Sequence, residues 1–199
     1  MEEITPMKRQ PKAAQKKNDE SFARWLWQTL ALTIVFIGVV FALFTFILSN
    51  NQVSGISMQP TFESGDRLIA LRHTQIHRGD IVVLKAPDRA NTLYIKRVIG
   101  MPGDTLASKD DVMYINGKEY AQPFLDDYKA QLPTGILYTD DFSLQSRQLG
   151  DKVPAGSYFV MGDHRNSSRD SRVFGYVKKS AIVGVVKWRY WPINQMRGF

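Results

Sequence analysis

The run WLWQTLALTIVFIGVVFALFTFIL, from Trp25 to Leu48, holds no charged residue and only Gln28, Thr29, Thr33 and Thr45 as polar interruptions. As a helix, a run of this length rises about 36 Å, enough to cross a hydrocarbon core of about 30 Å with some tilt. A helix buried in a globular domain is rarely apolar on every side for so long. A cleaved signal peptide has a shorter apolar region, about 7–15 residues. The run predicts a transmembrane helix over residues 25–49. Lys8, Arg9, Lys12, Lys16, Lys17 and Arg24 precede it, and no Lys or Arg follows until Arg67. That bias puts the amino terminus in the cytoplasm and residues 50–199 outside the cell membrane. Residues 1–24 form a basic, polar tail without apolar periodicity and read as disordered.

Past Asn50 the pattern shifts to short runs rich in Val, Ile and aromatic residues, separated by turn residues: RLIALR, DIVVLK, LYIKRVIG, VMYING, SYFVMG and AIVGVVKWRYW. Asn116-Gly117 between VMYI and KEYA is a two-residue hairpin signal. No long 3.6-period segment and no strand–helix alternation appears. Residues 122–150 mix Pro, Asp, Gly and Ser with isolated apolar residues and read as an irregular insertion. The expected fold is mostly β: an N-terminal transmembrane helix, then an antiparallel sheet domain, two-layered or a partly closed barrel, over 50–199.

Cysteine is absent, which excludes disulfides, thiolate zinc sites and cysteine nucleophiles. The net charge of +7 would suit nucleic acid or anionic lipid, but the basic residues form no dense stripe, so no nucleic-acid partner is expected. His73 and His77 are flanked by Arg72 and Arg78, which would repel a cation. G-x-G-x-x-G, the Walker pattern, S-x-x-K and H-E-x-x-H are all missing. Neither a cofactor nor a metal is expected.

Three segments could carry chemistry. In VSGISMQPT, Pro60 prevents a helix and Gly55 permits unusual backbone geometry, so Ser57 stands on a stiff turn just past the span. Alone, this could equally be a turn-forming serine. In YIKRVIGMPGD, strand geometry puts Lys96 on the face of Tyr94 and Val98 and turns Arg97 the other way. A lysine on an apolar face becomes a usable base if its pKa falls from about 10.4 to near 7–8. An exposed strand lysine is the plain alternative. GDHRNSSRDSR follows the apolar strand SYFVM and reads either as a solvated turn or as a shell of hydroxyls and Asp/Arg pairs around a site.

Together and in this order, SGISMQPT, RGDIVV, YIKRVIGMPGD and GDHRNSSRDSRVFG, with an anchor before the first, resemble bacterial type I signal peptidases of the single-anchor Gram-positive type. Residues 105–157 are only loosely family-like. The resemblance implies a membrane-bound serine protease that cleaves signal peptides from exported preproteins, with Ser57 as nucleophile and Lys96 as general base. It further implies that Ser168 bonds to and orients Lys96, that Asp163 pairs with Arg97 and that Asp170 pairs with Arg172. Arg78-Gly79-Asp80 would open a supporting strand. Substrates would carry small residues at −1 and −3 and add as an extended strand. Two positions depart from the pattern. Gly55 stands where some members place an oxyanion-hole serine, and His164 stands where Asn is usual. A self-cleaving-repressor-like Ser–Lys protease and a non-catalytic anchored β-domain remain as alternatives.

Overall fold

A computed structural model describes residues 12–133 and 135–199. The expected tail lies outside the described residues up to residue 11. From there it differs from expectation, because helix α1 runs Lys12–Ala42. Lys, Ala, Gln and Glu are good helix formers, and adding turns to an existing helix avoids a second nucleation cost. The stretch Arg24–Ile47 has a mean hydropathy of 2.8 and none of it is buried. Its last turn, Leu43–Ile47, is a π-helical turn. The expected span also ends early, since strand β1 (Leu48–Gln52) claims its last two residues. They pair with Leu71 and Ala70, and a sheet ladder needs extended backbone.

The remaining strands follow in chain order. They are β2 (Arg67–Leu71), β3 (Ile81–Lys85), β4 (Leu93–Gly100), β5 (Leu106–Lys109), β6 (Val112–Ile115), β7 (Lys118–Glu119), β8 (Phe142–Ser143), β9 (Ser157–Met161), β10 (Val177–Lys178), β11 (Ile182–Trp191) and β12 (Arg197–Gly198). All pairings are antiparallel. One sheet runs β1-β2-β11-β3-β4-β9-β10, with β12 on the end of β11, and the other runs β7-β6-β5-β8. The large sheet stays open, with β1 and β10 at its two ends.

Apolar runs without alternation become strands buried on both faces. In β3, Ile81 and Val83 pack with Met58, Phe62 and Leu68, while Val82 and Leu84 pack with Val98, Val160 and Val185. In β9, Tyr158 and Val160 join the second group, and Phe159 and Met161 join a third cluster with Leu106, Ile115 and Phe142 of the small sheet. Asn116-Gly117 makes the expected hairpin, with Ile115 opposite Lys118 and both turn residues at positive φ (53° and 75°). Among its described residues the insertion over 122–150 holds a 3₁₀ turn, a one-turn helix α2 (Asp126–Lys129) and β8, and is otherwise turns and irregular backbone. The last helix is α3 (Ser171–Phe174).

Candidate active site

Three segments meet at the site: the β1–β2 loop, strand β4 and the β9–α3 loop. Two buried side chains, Met58 and Phe62, pin the first, and the Phe62 N–H donates to the Met58 carbonyl at 2.9 Å. Anchoring the residue next to Ser57 limits where its hydroxyl can go. Gly55 is exposed at a φ of 87°, a region that favours glycine. The third segment grips the first from the other side. The His164 N–H donates to the Ser57 carbonyl at 3.1 Å. His164 Nδ1 lies 3.2 Å from the Ile56 carbonyl, an acceptor, so this nitrogen carries the hydrogen. The contacts of the unusual histidine are thereby defined.

Lys96 is 3% exposed, and its Nζ lies 2.7 Å from Ser57 Oγ. Burial pushes the lysine down to about 8 against the carboxylates of Asp170 and Asp163, which favour the ammonium, while the Arg172 guanidinium adds to the lowering. A hydroxyl and a partly neutral amine at bonding distance can exchange a proton near neutral pH.

The two Asp/Arg pairs form as the resemblance implied. Arg97 donates to Asp163 through Nε (2.9 Å) and Nη2 (2.6 Å), and through Nη1 to the Gly79 carbonyl (2.9 Å). The latter bond ties Arg78-Gly79-Asp80 to the site. Arg172 forks onto Asp170 at 2.8 and 2.9 Å, and Asp170 also accepts the Gly162 N–H at 3.0 Å. Both aspartates are completely buried.

Ser168 differs from expectation. Its hydroxyl is buried with no hydrogen-bond partner, so it does not bond to Lys96. It occupies the space beside Gly162 that a side chain there would fill, and a Cβ at Gly162 would also stand 2.5 Å from the Ser57 carbonyl oxygen. Two residues outside the predicted set belong to the site. Thr61 donates through Oγ1 to Asp163 Oδ2 at 2.5 Å. Tyr138, from the irregular insertion, donates to the Asp163 carbonyl at 2.7 Å. Burial pushes this phenol up to about 12, so it keeps its proton at any working pH. Thr61 lies inside a quoted motif, whereas nothing local marks Tyr138.

A groove of about 270 Å³ leads to the pair between residues 50–53 and residues 93–96. Residues 93–97 pair with β3 on one edge, and β9 covers the other edge only from Arg97 onward. Among the described residues, strand β1 pairs with β2 alone. Two free strand edges therefore flank the groove.

Comparison with known proteins agrees with this architecture. The family model described as signal peptidase, peptidase S26, matches residues 26–191. The chain belongs to the signal peptidase S26 family. It is 44% identical over 184 residues to signal peptidase I of Bacillus caldolyticus, covering 90% of this chain and 96% of the relative. It is 48% identical over 139 residues to signal peptidase I V of Bacillus subtilis, covering 68% of this chain and 81% of that protein. The crystal structure of a signal peptidase I from Enterococcus faecalis matches with a TM-score of 0.54 and 38% identity, covering 56% of this chain and 97% of that one. Family membership and the exposed apolar helix make this signal peptidase family member a membrane-anchored protein.

Proposed function

We propose that this chain is a membrane-bound serine endopeptidase that removes signal peptides from exported preproteins, with Ser57 as nucleophile and Lys96 as general base. The observation that carries the reading is the 2.7 Å approach of Lys96 Nζ to Ser57 Oγ at the head of the groove. The neutral amine takes the Ser57 proton as Oγ attacks the scissile carbonyl. The resulting ammonium gives a proton to the leaving amine as the C–N bond breaks, leaving an acyl-enzyme. The same amine then deprotonates the water that hydrolyses the ester.

The Ser57 N–H donates to no protein acceptor among the described residues, so it is free to serve the oxyanion without help from a side chain at Gly55. An extended substrate fits between the free edges of β1 and β4 by adding backbone hydrogen bonds. Small side chains at −1 and −3 suit a groove of about 270 Å³. The basic residues before the span support a cytoplasmic amino terminus and an extracytoplasmic catalytic domain.

Purified full-length protein incubated with a radiolabelled preprotein tests the assignment. Wild type should release the mature product, and Ser57→Ala and Lys96→Ala should each abolish release. Lys96→Arg should fail too, because guanidinium stays charged at any working pH. Cleavage by Ser57→Ala at the wild-type rate would exclude the mechanism.

A further inference from the structure

Away from the groove, the loop after β2 and the start of β11 enclose a second cavity of about 340 Å³. Arg72, His73, Lys85 and Lys179 line it together with Ile76 and Ile182, and no Asp or Glu does. None of these four basic side chains takes part in an ion pair among the described residues. Arg72 is held by its backbone N–H, which donates to the Ile47 carbonyl at 2.8 Å, and by Nε, which donates to the Leu48 carbonyl at 3.1 Å. Both Nη groups are without a partner among the described residues. Ile47 and Leu48 are the last residues of the apolar run, so the cavity lies beside the end of that run.

Positive charges gathered without a counter-charge raise the energy of the folded chain, and an anion relieves that repulsion. A lining that combines Ile76 and Ile182 with basic side chains suits an amphiphile better than a free ion. We propose that this cavity binds the phosphate headgroup of an anionic phospholipid. The phosphate engages Arg72 and the two lysines, and the glycerol lies over the isoleucines. A lipid held there fixes the height of the β-domain against the bilayer at its first strand. The inference depends on the anchor and is independent of the peptidase chemistry.

Full-length protein in an uncharged maltoside detergent, titrated calorimetrically with dihexanoyl phosphatidylglycerol, supplies the test. Binding should be at least about tenfold tighter than that of dihexanoyl phosphatidylcholine or of inorganic phosphate. Lys85→Gln/Lys179→Gln should weaken it roughly 30-fold, at about one surface-charge contribution per lysine. Both lysines are exposed and unpaired, so the melting temperature should not move. If the double variant does lose its fold, Lys179→Gln alone carries the test with a loss of about fivefold. Equal affinity for the choline lipid, or unchanged affinity in the variant, overturns the proposal. Inorganic phosphate binding as tightly as the lipid overturns the lipid assignment.

Discussion

Lys96 gives up its proton more readily than a free lysine because burial removes the water that would solvate an ammonium, and its value of about 8 sets the pH behaviour of the chain. As the proposed general base it would work only when neutral. The kcat/KM of the purified protein on a preprotein should therefore rise with pH through a midpoint near 8. A profile that stays flat from about pH 5 to 10 would exclude a titrating lysine. The same burial costs stability, with a sign that can be worked out. An unfolded chain holds the lysine proton up to about pH 10.4, whereas the folded chain releases it near 8. Between those values the unfolded state binds more protons, so stability rises with pH, and below the folded value the penalty is present in full. Lys96→Met should accordingly stabilise the protein by about 2–3 kcal/mol at pH 7, with the gain fading from about pH 8 and nearly gone by about pH 10. Urea unfolding at the two pH values measures it. Asp163 is the opposite case. It is completely buried and bonded to Arg97 and Thr61, so Asp163→Ala strands a guanidinium and should cost about 3–5 kcal/mol in urea unfolding. Adding Arg97→Met should return most of that loss, because no unpaired charge then remains.

The β9–α3 loop acts as one clamp. Asp170 caps α3, accepts the Gly162 N–H and holds Arg172, while His164 grips the carbonyls of Ile56 and Ser57. Gly162 is the point of closest approach, where any side chain would meet the Ser57 carbonyl and Ser168. Gly162→Ala should push the serine away from Lys96 by a fraction of an ångström or more, and lower kcat/KM about 100-fold. Near-wild-type cleavage by that variant would mean that the clamp does not position Ser57. Much of this arrangement could be read in the sequence because its parts are local. Unbroken apolar runs mark β3 and β9, alternation about Tyr94 and Val98 turns Lys96 to its own face of β4, and Asn116-Gly117 sets a hairpin. What the sequence hid depends on long-range placement. Tyr138 comes from a segment without periodicity and meets Asp163 only after the two sheets are assembled. The direction of the Ser168 hydroxyl follows from packing against Gly162, which no spacing rule encodes. Helix α1 passed beyond its expected start because residues that look disordered alone become helical when joined to a long apolar helix.

At the scale of the whole chain, the reading needs the site and its substrate on the same side of the membrane. The apolar helix joins directly to β1, and only a few residues separate β1 from Ser57, so whichever side receives the end of the span receives the site. The charge bias is what supports the proposed side. Six Lys and Arg residues lie within 24 positions before Trp25, and none lies between the span and Arg67. On the proposed topology, retention of basic segments on the cytoplasmic side would leave the β-domain on the outer face. A signal peptide presents its cleavage junction at that face once the exported chain has crossed. A site anchored a few residues from the bilayer meets the junction at high local concentration. Proteinase K added to intact protoplasts should therefore degrade the β-domain and leave a small membrane-embedded fragment carrying the amino terminus, detectable by an N-terminal tag. Adding six Lys or Arg residues between Asn50 and Val53 while replacing the six upstream ones with Gln should reverse the result, leaving the β-domain protected until the membrane is opened with detergent. A β-domain already protected in the wild-type chain would place Ser57 and Lys96 away from exported substrates and remove the physical basis for signal-peptide cleavage.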